Sequence, residues 1–273
     1  MKIFITGGAG TCGRILKDIE YDKIFFDKKD KTVEFENLEY IKGNLSDFDL
    51  IEDKISSCDV LIHLAAEDYY PDFKMGSGEA SWNDYSYTNI DLTRELFEIA
   101  IKLNIKKIIF ASTHRVQGMY EKIYSPGIYQ IGHKFKFDHN NEVCPDSIYA
   151  VTKLFGENLG KYYSIKYGID FKCVRICSVR DEENDNPLAY AEYGYKQGLW
   201  KKNSNQYIAQ LNRLKGLWQS RRDFLQLIER IVETKEKGFE IFYGLSDNDR
   251  RWFDLEYTKK SLKYKPLDNS ENY

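Results

Sequence analysis

The sequence carries no strong charge of either sign, and it has no long apolar run. Its 273 residues have a formal net charge of −3 at pH 7, so electrostatics give no reason to expect nucleic acid or an anionic membrane as a partner. No stretch approaches the roughly 18 apolar residues that a membrane-spanning helix needs. The apolar residues 1–6 run directly into glycines, without a signal-peptide core or cleavage site.

Metal-ligand and disulfide patterns are also missing. The five cysteines and four histidines form no CxxC pair and no HExxH or other recurrent ligand spacing. We therefore predict no metal site, and we interpret the cysteines as reduced thiols of a cytoplasmic protein. Cys12 is notable among them because it would lie beside any ligand held by the surrounding glycines.

A glycine-rich segment follows the first predicted strand. KIFIT (2–6) has the β-branched and aromatic composition of a buried strand, and RILKDI (14–19) has helical spacing. Between them, Gly7 allows a tight turn, Gly10 allows the backbone to approach a pyrophosphate, and Gly13 allows the helix to pack closely on the strand. Free N–H groups at the helix N-terminus would face the phosphates. The order strand, glycines and helix predicts a dinucleotide site, although the spacing is GxxGxxG rather than GxGxxG.

The second predicted strand, KIFFD (23–27), ends in an acidic residue. Asp27 at that point can accept hydrogen bonds from an adenosine ribose and repel a 2′-phosphate. This favours NAD over NADP as the cofactor. Lys28 and Lys29 follow directly and weaken the exclusion of NADP.

Further strands alternate with helices along the chain, at 38–44, 59–66, 106–112 and 170–178. This alternation predicts an α/β protein with a Rossmann-type, doubly wound parallel sheet, helices on both faces and a small C-terminal substrate-binding portion. Ligands of such sheets bind outside the carboxyl ends of the strands. Besides the glycines and Asp27, the residues at those ends are Asn44, Leu45, Leu64, Ala65, Ala66 and Thr113.

A tyrosine and a lysine stand four residues apart in a segment that has the pattern of a helix. Tyr149 and Lys153 would share one helix face. A nearby cation favours the phenolate and lowers the pKa of a tyrosine, which makes the pair a candidate general acid and base. We interpret His63, by contrast, as a packed core histidine.

The remaining segments divide the chain less clearly. We expect a loop over the sheet edge at 67–84, an irregular loop at 118–146, and either a substrate cover or a solvated insertion or subunit contact at 190–217. Ser220 has the position of a helix N-cap, with Asp223 three residues later. We assign residues 1–180 to the cofactor-binding domain and 181–273 to a smaller substrate-binding region packed on it.

Taken together, these motifs resemble the extended short-chain dehydrogenase/reductases, also called the NAD-dependent epimerase/dehydratase family. The matching stretches are TGGAGTCG (6–13), HLAA (63–66), YTN (87–89), FAST (110–113) and YAVTK (149–153). The resemblance implies a catalytic trio of Thr113, Tyr149 and Lys153. It also implies that NAD contacts Tyr149 and Lys153. The other implied NAD contacts are Gly7, Gly10, Thr11, Cys12, Gly13, Asp27, Asn44, Leu45, Leu64, Ala65, Ala66, Asn89 and Ile176.

Within this group the chain is most similar to uronate dehydrogenases, in IIFASTHRVQG (108–118), VRICS (174–178) and the segment from Trp218 to Phe224. The similarity implies oxidation of an anomeric hydroxyl, with Arg213 binding a carboxylate. The implied substrate contacts are Thr113, His114, Arg115 and Arg213. Those enzymes have Ser-Asn-His where this chain has Thr113-His114-Arg115, so the identity of the sugar substrate stays open.

Several alternatives also stay open. Arg213 or Arg115 could meet a sugar phosphate instead of a carboxylate. A nucleotide-sugar epimerase or dehydratase would use the same trio and recycle its NAD, and a non-catalytic NAD-binding protein could share the fold. The resemblance further implies a homodimer, which pairs through the helix of Tyr149 and the long helix before it.

Overall fold

The sheet is parallel throughout the part of the chain that the structure, a computed structural model, describes, namely residues 1–67 and 81–273. Within those residues it has seven strands in the order β3-β2-β1-β4-β5-β6-β7. The predicted α/β class with a doubly wound parallel sheet is confirmed. The strands are β1 Lys2–Thr6, β2 Asp22–Asp27, β3 Glu39–Lys42, β4 Val60–His63, β5 Lys107–Thr113, β6 Asp170–Ile176 and β7 Phe239–Gly244.

Helices cover both faces of the sheet. Neighbouring residues of a strand point to opposite faces, so each strand packs against helices on both sides. Phe4 packs in one apolar cluster with residues of the helices before β4, β5 and β6. Ile3 and Ile5 pack in another, with the first helix and a helix near the C-terminus. The helices are α1 Thr11–Ile15, α2 Phe48–Ile55, α3 Trp82–Ser86, α4 Thr93–Lys102, α5 Gly118–Tyr124, α6 Ile148–Tyr167, α7 Ala189–Lys196, α8 Asn205–Leu217, α9 Arg221–Glu233 and α10 Glu256–Leu262.

The longest of these helices, α6, lies unusually close to the sheet. A Cβ atom added at Gly156 would collide with the ring of Phe110 on β5, and one at Gly160 would collide with the ring of Phe171 on β6. The two glycines lie one turn apart on the same helix face. They let the backbone of α6 approach the strands, and so they set the depth at which the N-terminal turns of α6 stand over the sheet edge.

Two segments are more regular than the sequence indicated. The irregular loop expected at 118–146 begins instead with α5, and the stretch 190–217 contains α7 and α8. In the second case Trp200 and Tyr207 pack with Ala191 in a small cluster inside the α7–α8 pair. Apolar residues that pack within such a pair need not follow the period of a helix lying on a sheet, which explains why no clean pattern was visible.

The first helix is shorter than its sequence suggested. Of the stretch 14–19, α1 includes only the first two residues, and a 3-10 turn at Leu16–Asp18 continues from it. The loop expected at 67–84 falls largely on residues 68–80, which lie outside the described residues. After them α3 begins, with a capping box between Ser81 and Asp84.

The region after residue 180 contributes directly to the same sheet. Strand β7 pairs in parallel with β6, and α9 packs Phe224, Leu227 and Ile231 into the cluster beside Ile3 and Ile5. The predicted cap of α9 is confirmed, because the Ser220 hydroxyl accepts a hydrogen bond of 3.2 Å from the Asp223 backbone N–H. The division of the chain at residue 180 stays a prediction.

Candidate active site

The glycine turn (residues 7–13) has a shape that larger residues would not allow. Gly7 has a φ of +73°, and a Cβ atom there would lie 2.6 Å from the backbone nitrogen of Ala65. A Cβ at Gly13 would collide with the carbonyl oxygens of Gly7 and Gly8. The turn therefore lies directly against the chain that leaves β4. The turn has no room for a side chain at Gly7 or Gly13, as expected for a backbone that approaches a pyrophosphate.

Asp27, at the end of β2, holds this turn in place. Its Oδ2 accepts a hydrogen bond of 2.9 Å from the Ala9 N–H, and its Oδ1 accepts one of 3.0 Å from the Lys29 N–H. Each carboxylate oxygen retains a further lone pair for a ribose hydroxyl. Lys28 next to it is paired with Glu67 at 2.6 Å, so its charge is balanced within the protein.

The other predicted cofactor residues lie at neighbouring strand ends. Asn44 is exposed and Leu45 is buried just beyond β3, and the Ala65 N–H lies 3.5 Å from the Thr6 hydroxyl beyond β4. Thr11, Cys12, Leu64, Ala66 and Ile176 are half-buried or exposed beside them. All of these residues lie toward the edge of the sheet where the carboxyl ends of the parallel strands meet.

Asn89 has an internal role that the sequence did not reveal. It is buried in a π-helical turn, Tyr87–Leu92, that precedes α4. Its amide oxygen accepts from the Glu67 N–H at 2.8 Å, and its Nδ2 donates to the Glu67 carbonyl at 3.0 Å and to the Thr152 hydroxyl at 3.2 Å. Asn89 thus ties the chain leaving β4 to the first turns of α6.

Thr113 is the last residue of β5 and lies opposite Ile176 of β6. It is buried, and its hydroxyl oxygen accepts a hydrogen bond of 3.2 Å from the Arg115 N–H at the start of a 3-10 turn, His114–Gln117. The Asp146 N–H donates to the Arg115 carbonyl. Since Asp146 directly precedes the Ser147 N-cap of α6, the end of β5 and the first turn of α6 are held next to each other.

Tyr149 and Lys153 lie on the first turns of α6, on one face as predicted. The Lys153 Nζ is 5.8 Å from the centroid of the Tyr149 ring and 4.9 Å from that of the Phe110 ring. Lys153 is only 3% exposed, whereas Tyr149 is half-buried. The Lys153 ammonium group therefore lies in a place with little water, on the same face of α6 as the half-buried Tyr149 ring.

Two other titratable groups near this site are held neutral. Loss of hydration raises the pKa of the Cys12 thiol to about 12, although Lys153 opposes the shift. Burial lowers the pKa of His63 to about 3, with a smaller contribution from Lys153. The His63 ring is hydrogen-bonded between the hydroxyls of Thr6 and Thr93. Its geometry agrees with the expected core histidine, and neither group is a candidate for proton transfer near neutral pH.

Both arginines that were predicted to meet a substrate anion have a carboxylate partner within the protein. Arg213 on α8 donates from Nε to Glu121 Oε1 at 2.5 Å and from Nη2 to Oε2 at 3.2 Å. Arg115 donates from Nε to both oxygens of Asp146, at 2.9 and 3.2 Å. No sequence spacing indicated the first pair, because its two members are 92 residues apart.

His114 lies between Thr113 and these arginines. Its Nδ1 is 3.2 Å from the Ile176 carbonyl oxygen, so Nδ1 carries the proton and Nε2 presents a lone pair. Among the described residues, Nε2 has no hydrogen-bond partner. Burial, followed by the charge of Arg213, lowers the pKa of His114 to about 4. The ring is thus a neutral acceptor near neutral pH.

A buried ion pair supports the site from behind. Glu157, one turn after Lys153 on α6, bonds to Arg175 of β6 with two distances of 2.9 Å and accepts from the Ser112 hydroxyl at 2.6 Å. Arg175 also donates to the Tyr243 hydroxyl of β7, which in turn bonds to Gln117. This network joins α6 to β5, β6, β7 and the 3-10 turn after β5, and sequence spacing gave no sign of it.

Two features are absent from the described residues, 1–67 and 81–273. No helix there is long and apolar enough to cross a membrane. No group of three or more His, Cys, Asp or Glu side chains there has the arrangement of a metal site.

Comparison with known proteins decides the family. Residues 3–188 match the NAD dependent epimerase/dehydratase family. The chain belongs to this family. The resemblance that the motifs indicated is confirmed, and the match spans the glycine turn, Thr113, Tyr149 and Lys153.

Individual relatives cover nearly the whole chain. An NAD-dependent glucose-6-phosphate dehydrogenase of Haloferax volcanii is 28% identical over 99% of this chain and 95% of its own. An L-arabinose 1-dehydrogenase (NAD(P)(+)) of the same organism is 26% identical, covering 98% and 97%. The crystal structure of a glucuronic acid dehydrogenase of Chromohalobacter salexigens is 25% identical, covers 99% of this chain and 86% of its own, and has a TM-score of 0.75.

Proposed function

We propose that this protein is an NAD-dependent sugar dehydrogenase that oxidises the anomeric hydroxyl of a free sugar or sugar derivative to a lactone, as uronate dehydrogenases do. One observation supports this proposal most strongly. Tyr149 and the buried Lys153 lie together on the first turns of α6, the helix that is tied to the end of β5 where Thr113 stands. This is the arrangement that moving a proton from a sugar hydroxyl requires.

The cradle beside these residues fits NAD. Its backbone has no room for a Cβ at Gly7 and Gly13, and Asp27 stands at the end of β2, where an acidic residue of this fold accepts hydrogen bonds from an adenosine ribose. The pairing of Lys28 with Glu67 leaves less positive charge for a 2′-phosphate, which favours NAD over NADP. When bound, NAD supplies the acceptor for the hydride that leaves the anomeric carbon. The residues proposed to hold it are Gly7, Gly10, Thr11, Cys12, Gly13, Asp27, Asn44, Leu45, Leu64, Ala65, Ala66, Asn89, Tyr149, Lys153 and Ile176.

Three side chains carry the proton chemistry. Tyr149, as its phenolate, takes the proton of the anomeric hydroxyl while the C–H bond of the same carbon breaks and the C=O bond forms. Lys153 stabilises the phenolate through its positive charge. The Thr113 hydroxyl hydrogen-bonds the reacting oxygen and orients it toward Tyr149.

The substrate side of the site lies beyond the ends of β5 and β6. We assign His114, Arg115 and Arg213 to it, together with Thr113. The three relatives differ in the charge of the sugar that their names give, namely a phosphate, a neutral pentose and a carboxylate. The family alone therefore leaves the charge of the substrate open.

The proposed function is tested by supplying NAD with a panel of free sugars, uronates, sugar phosphates and nucleotide sugars and recording absorbance at the NADH band. We expect NADH to accumulate with at least one non-nucleotide sugar. A flat trace across the panel, together with NAD that co-purifies with the protein, would contradict the proposal and indicate an epimerase-type enzyme that recycles its cofactor.

We expect the substitution Gly13→Ala to weaken NAD binding by about tenfold or more, because its Cβ would displace the carbonyls of Gly7 and Gly8 that shape the cradle. The measurement is a titration of NADH fluorescence. Gly127→Ala is the matched control, since a Cβ there meets no atom within 4 Å. Equal affinity in both variants would show that the turn does not hold the cofactor.

We further propose that the protein is a cytoplasmic homodimer that pairs through α4 and α6. The five cysteines are free, which suits a reducing compartment. The outer face of α6 exposes Val151 and Ile165, and apolar side chains of this kind favour a subunit contact. Light scattering after size-exclusion chromatography tests the dimer, and the mass of a single chain would contradict it.

A further inference from the structure

An ion pair, Glu121–Arg213, lies beyond the ends of β5 and β6. Glu121 belongs to α5, which begins directly after the 3-10 turn that follows Thr113. Arg213 belongs to α8, whose last residue accepts a hydrogen bond of 2.9 Å from the Ser178 N–H just beyond β6. Both members of the pair also act on the pKa values of His114 and Cys177, the residues that directly follow β5 and β6. The pair therefore lies just beyond the ends of the two strands that flank the proposed catalytic residues.

The carboxylate of this pair is fixed rather than loosely placed. Glu121 Oε1 also accepts a hydrogen bond of 2.7 Å from the Tyr129 hydroxyl, and the Ser125 hydroxyl donates to that of Tyr129 at 2.9 Å. The Glu121 side chain is 9% exposed. Burial alone would raise its pKa, yet Arg213 and the bond from Tyr129 hold the pKa below its ordinary value. Glu121 is therefore an anion held permanently in the fork of Arg213.

One edge of the Arg213 guanidinium group is therefore already occupied by Glu121. Arg213 uses Nε and Nη2 for Glu121, the geometry with which an arginine recognises a carboxylate. The side chain of Arg213 is 29% exposed, so it can still reach a ligand. An incoming carboxylate or phosphate at that point would meet both a compensated cation and the like charge of Glu121. Like charges brought together in this way disfavour binding.

The two residues that follow Thr113, His114 and Arg115, also lack excess positive charge. Arg115 is paired with Asp146, and the Ser147 hydroxyl adds a further bond to that carboxylate at 2.9 Å. His114 is neutral and presents a buried Nε2 lone pair that no described residue satisfies. A lone pair and a carboxylate both accept hydrogen bonds from hydroxyl groups, whereas neither attracts an anion.

We propose that the Glu121–Arg213 pair makes this a site for an uncharged aldose, whose hydroxyls donate to Glu121 and accept from Arg213, and that it selects against uronates and sugar phosphates. Glu121 is a specificity-determining residue in this view. The proposal rests on the proposed function, because it names the substrate class of the same site. It also differs from the expectation that Arg213 serves as the receptor for a substrate carboxylate.

Matched sugars that differ in one charged group test the proposal. The pairs are D-galactose with D-galacturonate, and D-glucose with D-glucose 6-phosphate. For the unaltered protein we expect kcat/KM with NAD to favour the neutral sugar of each pair by about tenfold or more, the scale of one charge-assisted hydrogen bond. A preference for galacturonate or for glucose 6-phosphate would overturn the proposal without touching the dehydrogenase assignment.

The variant Glu121→Gln removes the competing charge while keeping the shape and one acceptor oxygen. We expect it to raise the ratio of kcat/KM for the anion over the neutral sugar by about tenfold or more, because Arg213 is then uncompensated. Glu142→Gln, an exposed position in the same stretch of chain, changes the net charge equally and should leave the ratio as it was. Thermal melting followed by circular dichroism establishes that both variants are folded. An unchanged ratio in folded Glu121→Gln would overturn the role of Glu121.

A binding measurement separates this proposal from the proposed function. Calorimetric titration of the same four sugars into the protein without NAD needs no turnover. If the neutral sugars bind more tightly and no sugar yields NADH, the preference of the site for an uncharged aldose is supported. The proposed dehydrogenase activity is then contradicted. Tighter binding of the anions, or no binding of the neutral sugars, would overturn the pocket assignment whatever the activity.

Discussion

Replacing Tyr149 with phenylalanine is expected to lower kcat by a factor of about 10² to 10⁴, the range that a positioned acid or base contributes. The substitution removes only the phenolic oxygen that takes the proton of the sugar hydroxyl. The ring and its contacts with Lys153 and Tyr85 remain, so we expect the fold to be retained and the affinity for NADH to fall much less than kcat. Steady-state rates and NADH fluorescence titrations measure the two effects separately.

The chain supplies a matched control on the same helix. Tyr162 and Lys166 have the same spacing as Tyr149 and Lys153, and their side chains are hydrogen-bonded at 2.7 Å. Tyr162 is 49% exposed and lies near the other end of α6. Tyr162→Phe should therefore leave kcat unchanged. Equal rates for Tyr149→Phe and the unaltered protein would remove Tyr149 from the mechanism.

Replacing Glu157 with glutamine is expected to lower the free energy of unfolding by about 3–5 kcal/mol, the cost of leaving one member of a buried ion pair unpaired. Arg175 would then keep its positive charge with only 1% of its surface exposed. Its bonds to the two Glu157 oxygens, both 2.9 Å, would be weakened or lost. The bond from the Ser112 hydroxyl, next to Thr113, would weaken as well.

Urea denaturation at neutral pH measures this effect. Glu233→Gln is a suitable control, because its partner Arg230 is in solvent and both side chains are nearly half-exposed. Surface substitutions of this kind change stability by less than about 0.5 kcal/mol. If the two variants lost the same small amount, the Glu157–Arg175 pair would not hold α6 against β6 as its geometry indicates.

The fold could be predicted because its signals are local. Buried strands such as KIFIT, the glycines after them and amphipathic helices each occupy a short window of sequence, and a parallel sheet places the strand ends together. The prediction of secondary structure was weaker for helices that pack on each other and not on the sheet. The α7–α8 pair encloses Trp200 and Tyr207 in its own cluster, and the sequence indicated no regular structure there.

The candidate site was predicted in the same partial way. The glycine turn, Asp27, Thr113, Tyr149 and Lys153 all lie at strand ends or on the first turns of α6, as their order along the chain implied. The partners of the arginines were not predicted. Glu121 meets Arg213 across 92 residues and Glu157 meets Arg175 across the space between α6 and β6, and no spacing rule relates such positions.

By itself the sequence determined the order of strands and helices, the glycine turn and the family to which the chain belongs, because these depend on neighbours within a few residues. The spacing of four residues fits Tyr162–Lys166 as well as Tyr149–Lys153, and only the family motif YAVTK (149–153) singled out the second pair. The tertiary structure adds the physical reason, since it buries Lys153 beside Phe110 near the end of β5 and leaves Tyr162 in solvent. It likewise decided that Arg213 carries its own counter-ion, because the charge that a ligand meets is a sum over groups brought together by the fold, however far apart they lie along the chain.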